Sequence, residues 1–328
     1  MGSRIAITLG DPRGIGPEVV ARVLADPPAD AAFVVIGPDE LVEALPAERI
    51  GIGGIGKRET GKGTGPPPGP APGRAGEDAS RLPFPTSRFS LSPERAGGLT
   101  GLAVERAAQL ALRNEVDAIV TAPAEKRALH LAGYAYPGHT EWLADLAGGV
   151  DVAMMLTTGA LRVVLITTHM ALAQVPAAVT MERVLKTGNI TRCALEAWWG
   201  IEDPRLAVCA LNPHGGEGGL FGEEDDAVLA PAAQELDAVG PLPADTVFVR
   251  AARGEFDAVL TPYHDVGMTA VKMAGFGQGV NVTLGLPFVR TAPDHGTAFD
   301  IAGRDIADPG SMREAVALAA WLAAGGGS

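Results

Sequence analysis

Apolar residues in this chain gather into short runs, separated by polar and glycine-rich breaks and alternating with stretches of helical spacing. Arg4 to Leu9, Ala32 to Ile36, Asp117 to Thr121, Val152 to Leu156, Val163 to Thr168, Leu206 to Leu211 and Phe256 to Thr261 read as buried strands. Val19 to Leu24, Leu99 to Leu112, Trp142 to Leu146 and Met181 to Trp199 read as helices, with further helix starts at Asp39 and at Gly222-Glu223-Glu224-Asp225-Asp226. The acids of that last segment suit the positive end of a helix macrodipole, so they are expected to stabilise the helix start. This βαβ rhythm predicts an α/β fold with a largely parallel sheet and right-handed crossovers. The runs 152–156 and 163–168 are expected to be neighbours. From Gly51 to Pro85 glycine and proline crowd the chain, which predicts a surface excursion without chemistry.

Three of the strand-like runs lead to a histidine. Val163 to Thr168 ends at His169, Ala258 to Thr261 stops just before Tyr263-His264-Asp265, and Leu206 to Leu211 opens into Asn212-Pro213-His214-Gly215-Gly216-Glu217-Gly218-Gly219. The carboxyl ends of parallel strands face one crevice, so residues this far apart in sequence can converge. Three neutral imidazoles with one open position suit a divalent metal acting as Lewis acid, with one ligand able to come from a neighbouring subunit. The competing reading makes each a structural hydrogen-bonding histidine.

Other loops carry candidate chemistry. Gly10-Asp11-Pro12-Arg13-Gly14-Ile15-Gly16-Pro17-Glu18 lies between a strand and a helix but matches neither GxGxxG nor a P-loop. It reads either as backbone approaching a ligand or as a tight turn. His139-Thr140 at a helix start suits an anion or a hydroxyl, and equally a plain cap by Thr140. The segments Gly279 to Gly285, Phe288 to Thr291 and Asp294 to Gly303 set polar residues in an apolar, glycine-rich frame and read as a site wall.

Length and charge narrow the partners. A chain of 328 residues is long for one core, so two domains with a cleft between them are expected. With 26 basic against 39 acidic side chains, nucleic acid is not an expected partner, and any anionic ligand must be met locally. Lys272 and Arg290 sit among apolar neighbours and point to an anionic substrate, surface salt bridging being the alternative. Cys193 and Cys209 form neither a disulfide framework nor a CxxC metal site. No apolar run reaches membrane-spanning length and the N-terminus lacks a signal peptide's apolar region, so a cytoplasmic protein is expected.

Taken together, these segments resemble the 4-hydroxythreonine-4-phosphate dehydrogenase family of the pyridoxal phosphate pathway. The resemblance covers most of the chain outside the excursion. Its most specific segments are Gly10-Asp11-Pro12 through Glu18, Gly138-His139-Thr140-Glu141, Thr168-His169, Leu211-Asn212-Pro213-His214 through Gly219, Tyr263-His264-Asp265, and Gly275-Phe276-Gly277 through Asp294-His295-Gly296-Thr297-Ala298. It implies a divalent metal (Zn2+, Mg2+ or Co2+) on His169, His214 and His264, with the ligand set shared across a homodimer interface. It also implies that His139, Thr140, Lys272, Asn281 and Arg290 hold the substrate, and Asp245 on the loop Gly240 to Thr246 is grouped with them.

The family's fold is similar to that of isocitrate and isopropylmalate dehydrogenases, two α/β/α domains with a central cleft. Their adenosine-binding loop looks like His295-Gly296-Thr297-Ala298 through Asp300-Ile301-Ala302-Gly303, which would bind NAD (or NADP) without GxGxxG. The expected domains are 1–125 with 287–328, carrying the nucleotide loop, and 126–286, carrying metal and substrate residues and the dimer interface. The implied reaction oxidises 4-phosphooxy-L-threonine to a β-keto acid that loses carbon dioxide, with Lys272 and Asp265 as candidates for proton handling. Lys272 alternatively neutralises substrate charge, and Asp265 alternatively orients a histidine ligand. Related dehydrogenases oxidise phosphorylated sugar acids such as 4-phospho-D-threonate or erythronate, or a dihydrodiol dicarboxylate. A metal-dependent hydrolase or aldolase is the alternative from another class. Arg13, Val266 and the Gly/Pro excursion depart from the family's pattern.

Overall fold

The structure is a computed structural model that describes residues 2–54, 84–275 and 277–326. Most of the excursion expected over 51–85, and Phe276, lie outside the described residues. Eleven strands are present among the described residues: β1 (Ser3–Thr8), β2 (Ala31–Gly37), β3 (Glu48–Gly51), β4 (Ala118–Thr121), β5 (Ala153–Thr158), β6 (Leu161–Leu165), β7 (Leu206–Cys209), β8 (Val239–Leu242), β9 (Ala258–Thr261), β10 (Val280–Leu284) and β11 (Val289–Pro293). They fall into two compact units, one of Met1–Ala147 with Arg290–Ala324, the other of Gly148–Val289 with Gly325–Ser328.

In the first unit the strand order is β3-β2-β1-β4-β11. β1 pairs in parallel with β2 and β4, and β2 with β3. β4 is buried at every position and β1 and β2 nearly so, the pattern of parallel strands covered on both faces, and Ile5, Ile7, Ile36, Leu99 and Ile119 fill the core around them. In the second unit the order is β10-β5-β6-β9-β7-β8. Here β6, β9, β7 and β8 run parallel to one another, while β10 with β5 and β5 with β6 are antiparallel. The expected neighbours β5 and β6 do pair, but as a hairpin, because only Gly159 and Ala160 separate them and so short a link cannot make a parallel crossover.

One helix starts earlier than its apolar spacing predicts. Pro93–Leu112 begins at Pro93, where the missing N–H costs nothing, and Ser92 Oγ accepts from the Arg95 amide at 3.2 Å. Any side chain at Gly97 would meet the backbone of Ala128, and one at Gly101 the ring of Tyr134. Those two glycines let the helix Lys126–Leu131 and the following turn pack against it. This packing places 126–147 with the first unit, so the unit boundaries fall at 147/148 and 289/290 rather than at the expected 125/126 and 286/287.

Candidate functional site

In the second unit β6, β9 and β7 are consecutive parallel neighbours, so the loops carrying His169, His264 and His214 leave the same end of the sheet. The first two loops are tied together. Ile166 N donates to Thr261 O at 2.8 Å, and Thr167 Oγ1 donates to Pro262 O at 2.6 Å. The rings of His169 and His264 consequently lie 5.4 Å apart between centroids, on a cavity of about 440 Å³ that Thr168, Leu172, Val175, Tyr263 and Asp265 also line. Asp265 Oδ1 lies 2.7 Å from His264 Nδ1. With the proton held there, the lone pair of Nε2 is left for a ligand, which is how outer carboxylates orient metal-binding histidines.

His214 sits in an unusual backbone. His214, Gly215, Gly216, Glu217, Gly218 and Gly219 all have positive φ, from 46° to 87°, so the loop winds left-handed after Pro213. Four of the six are glycine, the residue that adopts this region without a Cβ clash. The loop's base is clamped by Asp225, whose carboxylate accepts from Leu211 N at 2.8 Å and Asn212 N at 2.9 Å. Asp225 is fully buried. It therefore anchors the loop, a role beyond the helix-start stabilisation that the sequence pattern suggested. Asp225→Ala leaves two backbone donors unpaired and is expected to cost about 2–3 kcal/mol of stability, read by urea unfolding. An unchanged midpoint would remove this role.

A divalent metal can be tested against these residues. Two imidazoles side by side, one already oriented by a carboxylate, fit two positions of a metal's coordination shell. Among the described residues no group of three or more His, Cys, Asp or Glu side chains is close enough to hold a metal. One chain alone thus brings together His169 and His264, and leaves His214 exposed at the neighbouring strand end. Lys272, exposed in the last turn of helix His264–Ala274, and Asp245, exposed in the first turn of Ala244–Ala252, are not among the residues lining the cavity. Asn281 on β10 holds its Oδ1 enclosed without a hydrogen bond, which points to a donor that a ligand would supply.

The first unit holds the anion-binding candidates. Arg290 is 4% exposed on β11, and its Nη2 donates to Thr121 Oγ1 at 2.5 Å. Burial lowers its pKa to about 10, against the opposing pull of Glu141, so it remains a cation at neutral pH. His139 opens the helix His139–Leu146 and packs on Trp142 at 6.0 Å between centroids. Its Nε2 is enclosed and makes no hydrogen bond. Burial above all, then the charges of Arg290 and Lys126, lower its pKa to about 3. His139 is thus a neutral imidazole beside a buried guanidinium. Thr140 is half-buried in the same first turn.

This histidine links pH to stability. The folded form resists a proton that the unfolded chain accepts near the ordinary histidine pKa of about 6.5. The stability that depends on a neutral His139 is complete above that value and falls with pH from there towards about 3, by at most ~1.4 kcal/mol per pH unit. Urea midpoints of the parent and His139→Gln are expected to converge as pH drops from 7 to 5. Parallel lines would contradict the burial.

Residues 295–303 fold as a loop against the first strand-to-helix turn. Thr297 O accepts from Ile15 N at 3.0 Å, and Ala298 takes a left-handed φ of 42°. His295 Nδ1 lies 3.1 Å from Gly296 O, while its Nε2 is enclosed with no partner. That orphaned nitrogen suits a polar ligand group, and so fits the implied nucleotide. Asp300 is exposed.

Two departures from the family's pattern find partners. Arg13 bonds Asp11 through two nitrogens at 3.0 and 2.7 Å, reaches Glu125 at 2.6 Å and lies over the Phe299 ring. Val266 packs against the second unit's core. Sequence reasoning also missed Arg88, which is buried against Glu18 and bonded to the carbonyls of Pro12 and Gly14. The only local signal is an arginine between aromatic residues at the edge of a proline-rich stretch.

Comparisons with known proteins identify the chain's relatives. A family model described as pyridoxal phosphate biosynthetic protein PdxA matches residues 70–319. A protein of Geobacter metallireducens named 4-hydroxythreonine-4-phosphate dehydrogenase is 44% identical, over 99% of this chain and 98% of its own length. One of Salmonella typhimurium named D-threonate 4-phosphate dehydrogenase is 41% identical, over 97% of this chain and 98% of its own. The crystal structure of 4-hydroxythreonine-4-phosphate dehydrogenase from Klebsiella pneumoniae superposes with a TM-score of 0.79 at 37% identity, covering 98% of each chain. Among the described residues, no helix is long and apolar enough to cross a membrane. On the family match and these near-full-length relatives, the chain belongs to the PdxA family of pyridoxal phosphate biosynthetic proteins.

Proposed function

We propose that the chain is an NAD-dependent, divalent-metal-dependent dehydrogenase of 4-phosphooxy-L-threonine. Its product, 2-amino-3-oxo-4-(phosphooxy)butanoate, would lose carbon dioxide to give 3-amino-2-oxopropyl phosphate, a step on the way to pyridoxine 5'-phosphate. The observation that carries this reading is the buried Arg290 cation beside the neutral His139, which suits an anionic substrate, in a chain whose relatives are named 4-hydroxythreonine-4-phosphate dehydrogenase and D-threonate 4-phosphate dehydrogenase.

Arg290 binds the anionic group of the substrate, and its bond to Thr121 fixes the plane of the guanidinium. His139 Nε2 and the Thr140 hydroxyl meet the neighbouring polar atoms without adding charge. Asn281 Oδ1 accepts from a substrate donor. When bound, a divalent metal would supply Lewis acidity at the substrate's hydroxyl oxygen, and a nicotinamide dinucleotide would supply the acceptor for a hydride from the carbon that bears it. His169, His214 and His264 would hold the metal, with one histidine lent across a homodimer interface. The Asp265–His264 bond favours an orienting role for Asp265 over that of a base. Lys272 is the remaining candidate for taking the hydroxyl proton and returning one to the carbon left after carbon dioxide departs, with neutralising substrate charge as its other role; within one chain it stands outside the cavity that His169 and His264 line. His295 through Ala298, with Asp300, would receive the dinucleotide.

The name of the Salmonella relative sustains a second reading, oxidation of D-threonate 4-phosphate. A panel following NADH formation with 4-phosphooxy-L-threonine, 4-phospho-D-threonate, 4-phosphoerythronate and a dihydrodiol dicarboxylate, each with added divalent metal, separates them. The highest kcat/KM is expected for the amino acid. A preference for the threonate would move the assignment to the second reading, and absence of NAD binding by calorimetry would favour a hydrolase or aldolase.

A further inference from the structure

Arg88 and Glu18 form the most enclosed charge pair among the described residues, with side chains 2% and 3% exposed. Arg88 Nη1 donates to Pro12 O at 2.9 Å and to Gly14 O at 3.0 Å, and Nη2 donates to Glu18 Oε1. The same carboxylate oxygen accepts from Gly303 N at 2.5 Å. One guanidinium and one oxygen therefore hold backbone at Pro12, Gly14 and Gly303. The Phe89 ring lies under Arg88, 4.4 Å from the guanidinium carbon, and fills the space that a side chain at residue 303 would need.

As a source of stability this pair is poorly built. Glu18 Oε2 and Arg88 Nε are enclosed and have no hydrogen-bond partner, and burial lowers the arginine's pKa. Replacing such a pair by apolar side chains of similar size often costs nothing in stability, whereas removing one partner strands a buried charge. What apolar side chains cannot reproduce is the simultaneous hold on three backbone groups from two loops.

We propose that Arg88 and Glu18 are positioning residues that keep the first strand-to-helix turn and the 295–303 loop in the shape that receives the dinucleotide. This rests on the reading of 295–303 as the nucleotide site. Both side chains are enclosed, so neither would touch a bound dinucleotide.

The test uses the double variant Arg88→Met/Glu18→Leu in the full-length protein, with Arg88→Lys beside it. Hydrogen exchange at the Gly303 and Ile15 amides is expected to quicken at least about tenfold in the double variant relative to core amides such as Val120, beyond the general loss of stability that leaving Gly303 N and the Pro12 and Gly14 carbonyls unpaired causes. Calorimetry is expected to show NAD binding weakened about tenfold to a hundredfold, with the loss appearing in the KM for NAD rather than in kcat. Arg88→Lys keeps the charge opposite Glu18 but cannot reach both carbonyls, and is expected to fall between parent and double variant. If the double variant fails to fold, Arg88→Lys carries the same comparison. Unchanged exchange at Gly303 and Ile15 overturns the clamp whatever NAD does, and so does parental NAD affinity alongside quickened exchange. If NAD binds the parent without protecting 295–303, the nucleotide-site reading fails, and the purpose assigned to the clamp fails with it. The exchange rates still report whether the clamp itself exists.

Discussion

His214→Ala is expected to abolish stoichiometric metal binding and to lower kcat/KM by on the order of 10³-fold or more, because the Lewis acid that activates the hydroxyl would be lost with it. The structure makes this a demanding test. His214 leaves the sheet at the strand next to the one preceding His264, yet a single chain pairs only His169 with His264. If the third donor were dispensable, the variant would keep its metal on the other two. Metal content by mass spectrometry of the native protein, measured with turnover, reads both at once, and full content with normal activity would sink the triad. Asp265→Asn calibrates the scale. It keeps the ligands but weakens the bond that orients His264, so a loss of about 10- to 100-fold is expected. The Asp265 carboxylate is largely exposed, so its effect should appear in metal affinity and not in thermal stability.

Arg290→Met should lower kcat/KM by on the order of 10²- to 10³-fold, mostly through KM, since removing a buried charged partner from an anion typically costs 2–5 kcal/mol. Its effect on folding should be small beside this. The guanidinium is 4% exposed and burial lowers its pKa to about 10, while its bond to Thr121 and the pull of Glu141 offset that cost, so methionine of similar volume is expected to shift the thermal midpoint little. Arg290→Lys should rescue little, because a single ammonium reproduces neither the two-pronged geometry nor the bond to Thr121. Methionine with an unchanged KM would show that the anion binds elsewhere.

Features written in consecutive residues were legible before the structure. The strand-end histidines could be recognised because an apolar run and the residue after it share one stretch of chain. His139-Thr140 and the Gly10–Glu18 turn are local in the same sense. The pairing of Arg88 with Glu18 joins residues 70 apart, and nothing at either position states the other's identity. Asp225 looked like one of several equivalent acids at a helix start until the backbone showed which one faces Leu211 and Asn212. The β5–β6 hairpin was masked by the surrounding parallel rhythm, since apolar runs alone do not record strand direction. Arg13 stood out as foreign to its motif, and the partners that explain it, Glu125 and Phe299, lie in other loops.

The left-handed run from His214 to Gly219 also bears on how such a protein can diversify. At Gly218 and Gly219 there is open space for a side chain, yet an L-residue in that backbone is strained by roughly 1–2 kcal/mol whatever its size. Any cost of a side chain at these two positions thus comes from the handedness of the chain and not from crowding, a cost that His214 and Glu217 already carry in the same run. At Thr140 or Arg13, by contrast, φ is not positive, and a side chain can change without reversing the local chirality of the fold.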